Sequence, residues 1–275
     1  MSFGFAIRTA LLLGILTGLF LLIGFVFGGI LGATIGFSIA LIVNFMAYWF
    51  SDSFVLKIYR AKKVNTNEYK KTDAVLAKLA KKSGIPKPPL YFVDNDVPNA
   101  FATGRSHNHS AVAVTRGLLE KLDDDEVEAV LAHEISHIKH RDTLVSTMAA
   151  TLAGALTWLA YIFYFGNNEN RGIFSYILLF FLAPIAATLI RLSISRNREY
   201  LADLGGAKII DPNKLASALE KISSSVKERP MKGGNTATSH LFIINPFSSS
   251  GMVSLFSTHP PVEERIKRLR SMAKR

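Results

Sequence analysis

His133-Glu134-Ile135-Ser136-His137 is the stretch from which the rest of this chain can be read. Histidines at i and i+4 leave one helical face about a turn apart, so both imidazoles can reach the same metal ion. The Glu134 carboxylate, next to the first histidine, leans toward the place of a water on that ion. Such a water needs a base, because zinc alone brings its pKa only to about 7. Asp123-Asp124-Asp125-Glu126 put negative charge at the helix N-terminus, where the macrodipole favours it. Val127, Val130, Leu131 and Ile135 follow as an apolar stripe at helical spacing. An ordinary amphipathic helix gives no reason for a glutamate between two histidines among apolar residues.

A zinc ion that does chemistry has three protein ligands and one open position, so a third ligand is needed. His140 would stand about 10 Å along the axis from His133, too far to converge on one ion. Glu199, in Arg198-Glu199-Tyr200-Leu201-Ala202-Asp203, is the better candidate. Asp203 lies at i+4 from it on the same face and could orient a ligating imidazole. A solvated helix face would account for that pair only if the upstream motif were ignored.

The second strong signal is membrane insertion. No charged residue lies between Arg8 and Asp52, room for two spans of about 20 residues each. Gly28, Gly29 and Gly32 mark the reversal, and Gly14, Gly18 and Gly24 suit close helix packing inside the first span. The apolar run is too long for a signal peptide, and Tyr48, Trp49 and Phe50 read as an interfacial belt. Two further uncharged runs, 143–168 and 172–190, flank Asn167-Asn168-Glu169-Asn170-Arg171, with Pro184 a kink in the second. Lys57, Arg60, Lys62 and Lys63 follow the second span, and Arg191, Arg196 and Arg198 follow the fourth. The opposite loops hold only Arg171, so both termini and the zinc motifs are expected in the cytoplasm. Much of the +11 net charge is then a matter of topology and anionic lipid, with no nucleic acid required. The run Arg265-Ile266-Lys267-Arg268-Leu269-Arg270 reads as a helix surface near the membrane.

Absence of cysteine excludes disulfides, thiolate catalysis and thiolate zinc ligation together. Lys70 to Lys82 reads as an amphipathic helix stopped by Gly84 and Pro86. Residues 90–93, 100–103 and 111–114 read as strands, and 227–239 as a loop. Asn99-Ala100-Phe101-Ala102 is the candidate edge for an extended peptide, held by main-chain hydrogen bonds; a purely structural strand fits the same residues. His107, His109 and His240 sit in polar contexts with no catalytic role assigned.

Together with Ser257-Thr258-His259-Pro260-Pro261, these motifs resemble the HtpX family of bacterial membrane proteases over nearly the whole chain. Wider relatives of that family are the CaaX prenyl proteases and the Oma-type mitochondrial proteases. The resemblance implies a zinc endopeptidase of the cytoplasmic membrane, with one zinc on His133, His137 and Glu199 and Glu134 as general base. It implies protein substrates, chiefly misfolded or damaged membrane proteins, in stress response and quality control. It also brings the C-terminal segment to the site, making His259 or Arg265 a candidate oxyanion donor.

The expected fold is an α-helical integral membrane protein with four transmembrane helices and a mostly α, gluzincin-type zinc protease domain carrying a small sheet. Residues 1–52 form the first hairpin (spans about 9–28 and 31–50) and 53–142 the first protease segment. Residues 143–191 form the second hairpin (about 143–166 and 172–190) and 192–275 the second protease segment. A CaaX-type processing protease is the alternative. A silent adaptor stapled by zinc fits less well, because it would have no use for Glu134.

Overall fold

The computed structural model describes residues 3–65, 68–149, 151–152, 196–228, 241–244 and 260–274. Helix α1 (Phe3–Ile58) doubles back at Gly28-Gly29, where Gly29 has φ 57° and ψ −139°, a conformation glycine enters without a Cβ penalty. Its segments Thr9–Val26 and Gly28–Phe50 are each long and apolar enough to cross a membrane. The two legs touch through their backbones: a Cβ on Gly24 or Gly32 would run into the other's carbonyl, and one on Gly36 into that of Phe20. Asn44 Nδ2 donates to Thr17 Oγ1 across the legs at 2.9 Å. Leu22, Phe25, Val26, Ile30 and Leu31 face outward.

Among the described residues two candidate spans are present. The further pair expected at 143–166 and 172–190 lies outside the described residues, apart from helical residues 142–149 and 151–152. Leu144, Val145, Met148 and Leu152 of that stretch pack on Leu12, Leu16, Leu19 and Ala47 of α1.

The sheet comprises β1 (Lys62–Lys63), β2 (Leu90–Val93), β3 (Ala100–Ser106) and β4 (His109–Thr115), in the order β1-β2-β4-β3. β2 runs parallel to β4, while β1 and β3 pair antiparallel with their neighbours. β3 is therefore an edge strand among the described residues. The Thr115 N–H donates to Asn99 O, so along this antiparallel pair Ala100, Ala102 and Gly104 turn their main-chain groups toward the open edge.

Helix α2 (Lys70–Ser83) ends on a left-handed Gly84 with φ 71°, and α3 (Arg116–Lys121) is a short turn capped by Thr115. Helix α4 (Asp124–Lys139) carries the two histidines and starts on a capping box between Asp123 and Glu126. Helices α5 (Arg196–Ala207), α6 (Pro212–Glu228) and α7 (Val262–Met272) complete the described part.

Helix α4 is the core. Val130, Leu131, Ile135 and Ile138 pack among Leu76 and Leu79 of α2, Val112 and Val114 of β4, Leu219 and Ile222 of α6 and Leu269 of α7. Its first turn is tied to α6, because the buried Glu126 carboxylate accepts from Ser217 Oγ and Lys221 Nζ, both at 2.7 Å. The basic run read as a membrane-facing surface is divided: Lys267, Arg268 and Arg270 stay exposed, while Arg265 and Leu269 turn into the protein. In α7, Arg265 and Leu269 are fully buried, Arg270 reaches Glu220 of α6 at 2.6 Å, and the Arg268 guanidinium lies 3.7 Å from the Tyr200 ring centroid.

Candidate metal centre

Helices α4 and α5 cross at close range because α5 carries Gly205-Gly206 where it meets α4. A Cβ on Gly205 would collide with Ser136 Oγ, and one on Gly206 would stand 3.3 Å from the His133 backbone nitrogen. That approach brings Glu199 to the two histidines. His133 Nε2 and His137 Nε2 are 3.1 Å apart, while Glu199 lies 3.8 Å from the first and 3.5 Å from the second.

The donor set fits a metal ion. Bonds of about 2.0–2.2 Å in a tetrahedron place ligand atoms roughly 3.3–3.6 Å apart, close to the three edges found here. The charge fits as well. Burial pushes the His137 imidazole down, but Asp142, Glu199 and Glu134 together bring it up to about 9. Burial, opposed by Asp203, holds His133 below its ordinary value, and a dication beside His137 would answer the acidic surroundings there while leaving both imidazoles neutral.

Each imidazole is oriented from behind. His133 Nδ1 lies 3.0 Å from Asp203 Oδ1, and His137 Nδ1 lies 3.2 Å from Asp142 Oδ2. Asp203 is gripped by Arg265, with Nε to Oδ2 at 2.9 Å and Nη2 to Oδ1 at 2.7 Å. Burial alone would raise the Asp203 carboxyl, yet Arg265 and His133 hold it at about 2. The remaining Arg265 contacts are Nη1 to Ile243 O at 2.9 Å and to Glu199 Oε2 at 3.4 Å.

Glu134 is buried beside the site and raised to about 7, chiefly by burial, with His137 opposing and Glu199 adding. A backbone contribution from Ala102 lowers it in turn, which sets the open edge of β3 beside the base. Of the strand candidates, Ala100 and Ala102 turn main-chain groups to that edge. Asn99 is buried, accepting from Ile243 N at 2.9 Å and donating its own N–H to Thr115 Oγ1 at 2.8 Å. The Phe101 ring packs behind the sheet, 5.2 Å from that of Tyr59.

His259 and His240 lie outside the described residues. His140 caps α4 and bonds Ser136 O at 2.8 Å, His107 Nε2 bonds Lys139 O, and His109 pairs with Ser106; none joins the metal cluster. Asp142, Gly205 and Gly206 escaped the reading of the sequence. A carboxylate five residues beyond the second histidine was the available signal for Asp142, and a glycine pair in the helix that bears Glu199 was the signal for close packing.

The family model described as peptidase family M48 matches residues 67–273. A protein named protease HtpX homolog from Pyrococcus furiosus is 54% identical over 282 residues, covering 99% of this chain and 98% of the relative. The homolog from Persephonella marina is 49% identical, covering 98% of each chain. That from Paraburkholderia phytofirmans is 45% identical, covering 98% of this chain and 97% of its own. The crystal structure of S. mikatae Ste24p superposes with a TM-score of 0.50 at 18% identity, over 96% of this chain and 62% of that one, a likeness of fold.

Proposed function

The chain belongs to peptidase family M48, and from that premise we propose a zinc endopeptidase of the cytoplasmic membrane that cleaves chiefly misfolded or damaged membrane proteins. The observation that carries this reading is the convergence of His133, His137 and Glu199 within 4.8 Å, beside a buried Glu134 and the open edge of β3. These three side chains hold one zinc. When bound there, it supplies a Lewis acid for the scissile carbonyl and acidifies the attacking water.

The chain's own groups do the rest. Glu134, tuned to about 7, takes the proton from the attacking water and returns it to the leaving amine. An extended peptide adds to the open edge of β3 through main-chain groups of Ala100, Ala102 and Gly104, which leaves side-chain selection loose. That suits substrates defined by being unfolded rather than by a motif. Asp203 orients His133, and Arg265 serves by fixing Asp203, its donors being directed there, to Ile243 O and toward Glu199 Oε2. His259 remains the candidate oxyanion donor. Residues 1–52 and 143–191 supply two hairpins, with 53–142 and 192–275 on the cytoplasmic side. Exposed apolar side chains along α1 and the lysines and arginines after each hairpin support that arrangement.

The test is cleavage of an unfolded membrane protein in detergent, after metal removal by chelator and after zinc is returned. Activity should vanish and recover. Glu134→Gln should hold zinc as the wild type does and lose at least about 100-fold in turnover. A Glu134→Gln protein that still cleaves at a comparable rate would sink the mechanism.

A further inference from the structure

We propose that Asp142 is a positioning residue for the metal centre: its carboxylate sets the ring of His137 and ties that ring to the helix supplying Glu199. The inference rests on the reading of His137 as a zinc ligand. Asp142 follows α4 by way of His140, its C-cap, and Arg141, whose φ of 60° swings the chain back beneath the last turn. That turn buries the Asp142 side chain and points Oδ2 at His137 Nδ1, 3.2 Å away. A proton on Nδ1 donated to the carboxylate leaves the Nε2 lone pair facing His133 and Glu199, which is the tautomer a metal needs.

The other oxygen, Oδ1, accepts from Arg198 Nη1. Arg198 directly precedes Glu199, so one carboxylate touches both elements that bear ligands. The arrangement repeats that of His133, where Asp203 lies behind the ring and Arg265 behind Asp203. Each imidazole therefore has its own carboxylate, and each carboxylate its own arginine. Asp142 also opens the helical stretch 142–149, which packs on α1 through Leu144, Val145 and Met148. The orientation of His137 is thus fixed by the segment that joins the site to the apolar hairpin.

The test uses the full-length protein in detergent, with zinc affinity read by competition against a chromophoric chelator and ligand geometry read from the visible bands of the cobalt(II) form. Asp142→Ala should bind zinc about 10–100-fold more weakly and show altered cobalt bands, while His137→Ala should bind more weakly still. Should Asp142→Ala fail to fold, the isosteric Asp142→Asn carries the same comparison. It keeps one accepting oxygen but loses the ionic contact to Arg198, so its affinity should fall between wild type and Asp142→Ala or, measured alone, below wild type. Wild-type zinc affinity and unchanged cobalt bands in a folded Asp142 variant, with zinc lost from His137→Ala, would overturn the proposal alone. Wild-type affinity in His137→Ala would overturn the ligand reading and this proposal with it.

Discussion

Among the described residues glycine makes two helix–helix contacts, one inside the α1 hairpin and one between α4 and α5, and they are held by different forces. In the hairpin, Gly24 and Gly32 set backbone against backbone, while Leu22, Ile30 and Leu31 point outward. Between α4 and α5, Gly205 meets the Ser136 hydroxyl, and the surrounding apolar residues point inward. Lipid is as apolar as leucine, so helices there associate through close van der Waals contact and a few hydrogen bonds such as Asn44 to Thr17. Water supplies the drive that assembles α4 with its neighbours.

The largest effect should come from filling the hairpin contact. Gly24→Leu puts a side chain where only a carbonyl fits, and backbone cannot rotate aside, so the legs must part. Folded yield and melting in detergent should fall sharply. A variant that melts with the wild type would mean that the legs are not held by this contact.

Truncating apolar side chains sharpens the comparison. Ile135 is fully buried and should cost about 2–5 kcal/mol as Ile135→Ala. Ile30 is 81% exposed, and Ile30→Ala should stay within about 0.5 kcal/mol by the same denaturation assay. Equal costs at the two positions would erase the proposed difference between the regions.

Gly205→Ala should be milder than Gly24→Leu, at about 1–3 kcal/mol, because Ser136 Oγ can turn away at the expense of its contact to His140. Thermal denaturation of both variants side by side decides it. A Gly205→Ala protein as damaged as Gly24→Leu would show that the crossing at the candidate metal centre is equally unyielding.

These contrasts mark what the sequence could disclose. Features with a fixed period came through: the two histidines at i and i+4, Glu199 and Asp203 at the same interval, the glycine stop after α2, and strands at 90–93, 100–103 and 111–114. What failed were contacts made where the period breaks. Asp142 reaches His137 only because Arg141 adopts a positive φ beyond the helix end. Arg265 sits in a run of cations that reads as a helix surface near the membrane. Nothing in that run says which turn of α7 faces Asp203, since the deciding partner lies 62 residues away. The short strand Lys62–Lys63 was invisible for a related reason, because two exposed lysines carry no strand signal and pair only because β2 is beside them.

A smaller effect than that of either glycine concerns the helix ends. The hairpin reverses through glycine conformation, whereas α4 starts in a polar setting with a carboxylate cap, Asp123 Oδ1 accepting from Glu126 N at 2.9 Å. Asp123→Ala should cost about 1 kcal/mol. The cost should also depend on pH. The Glu126 N–H holds the Asp123 carboxyl below its ordinary range, a small burial effect opposes this, and Lys221 and Lys214 add to it. A carboxyl lowered in the folded state stabilises fully above its unfolded pKa of about 3.9 and ceases to do so as pH falls through the lower folded value. The stability gap between wild type and Asp123→Ala should therefore be widest near neutral pH and close toward pH 3. Asp123→Asn, which keeps an accepting oxygen without the charge, should show a flatter gap across the same range. A gap that widens on acidification would mean that the cap acts through something other than its ionised carboxylate.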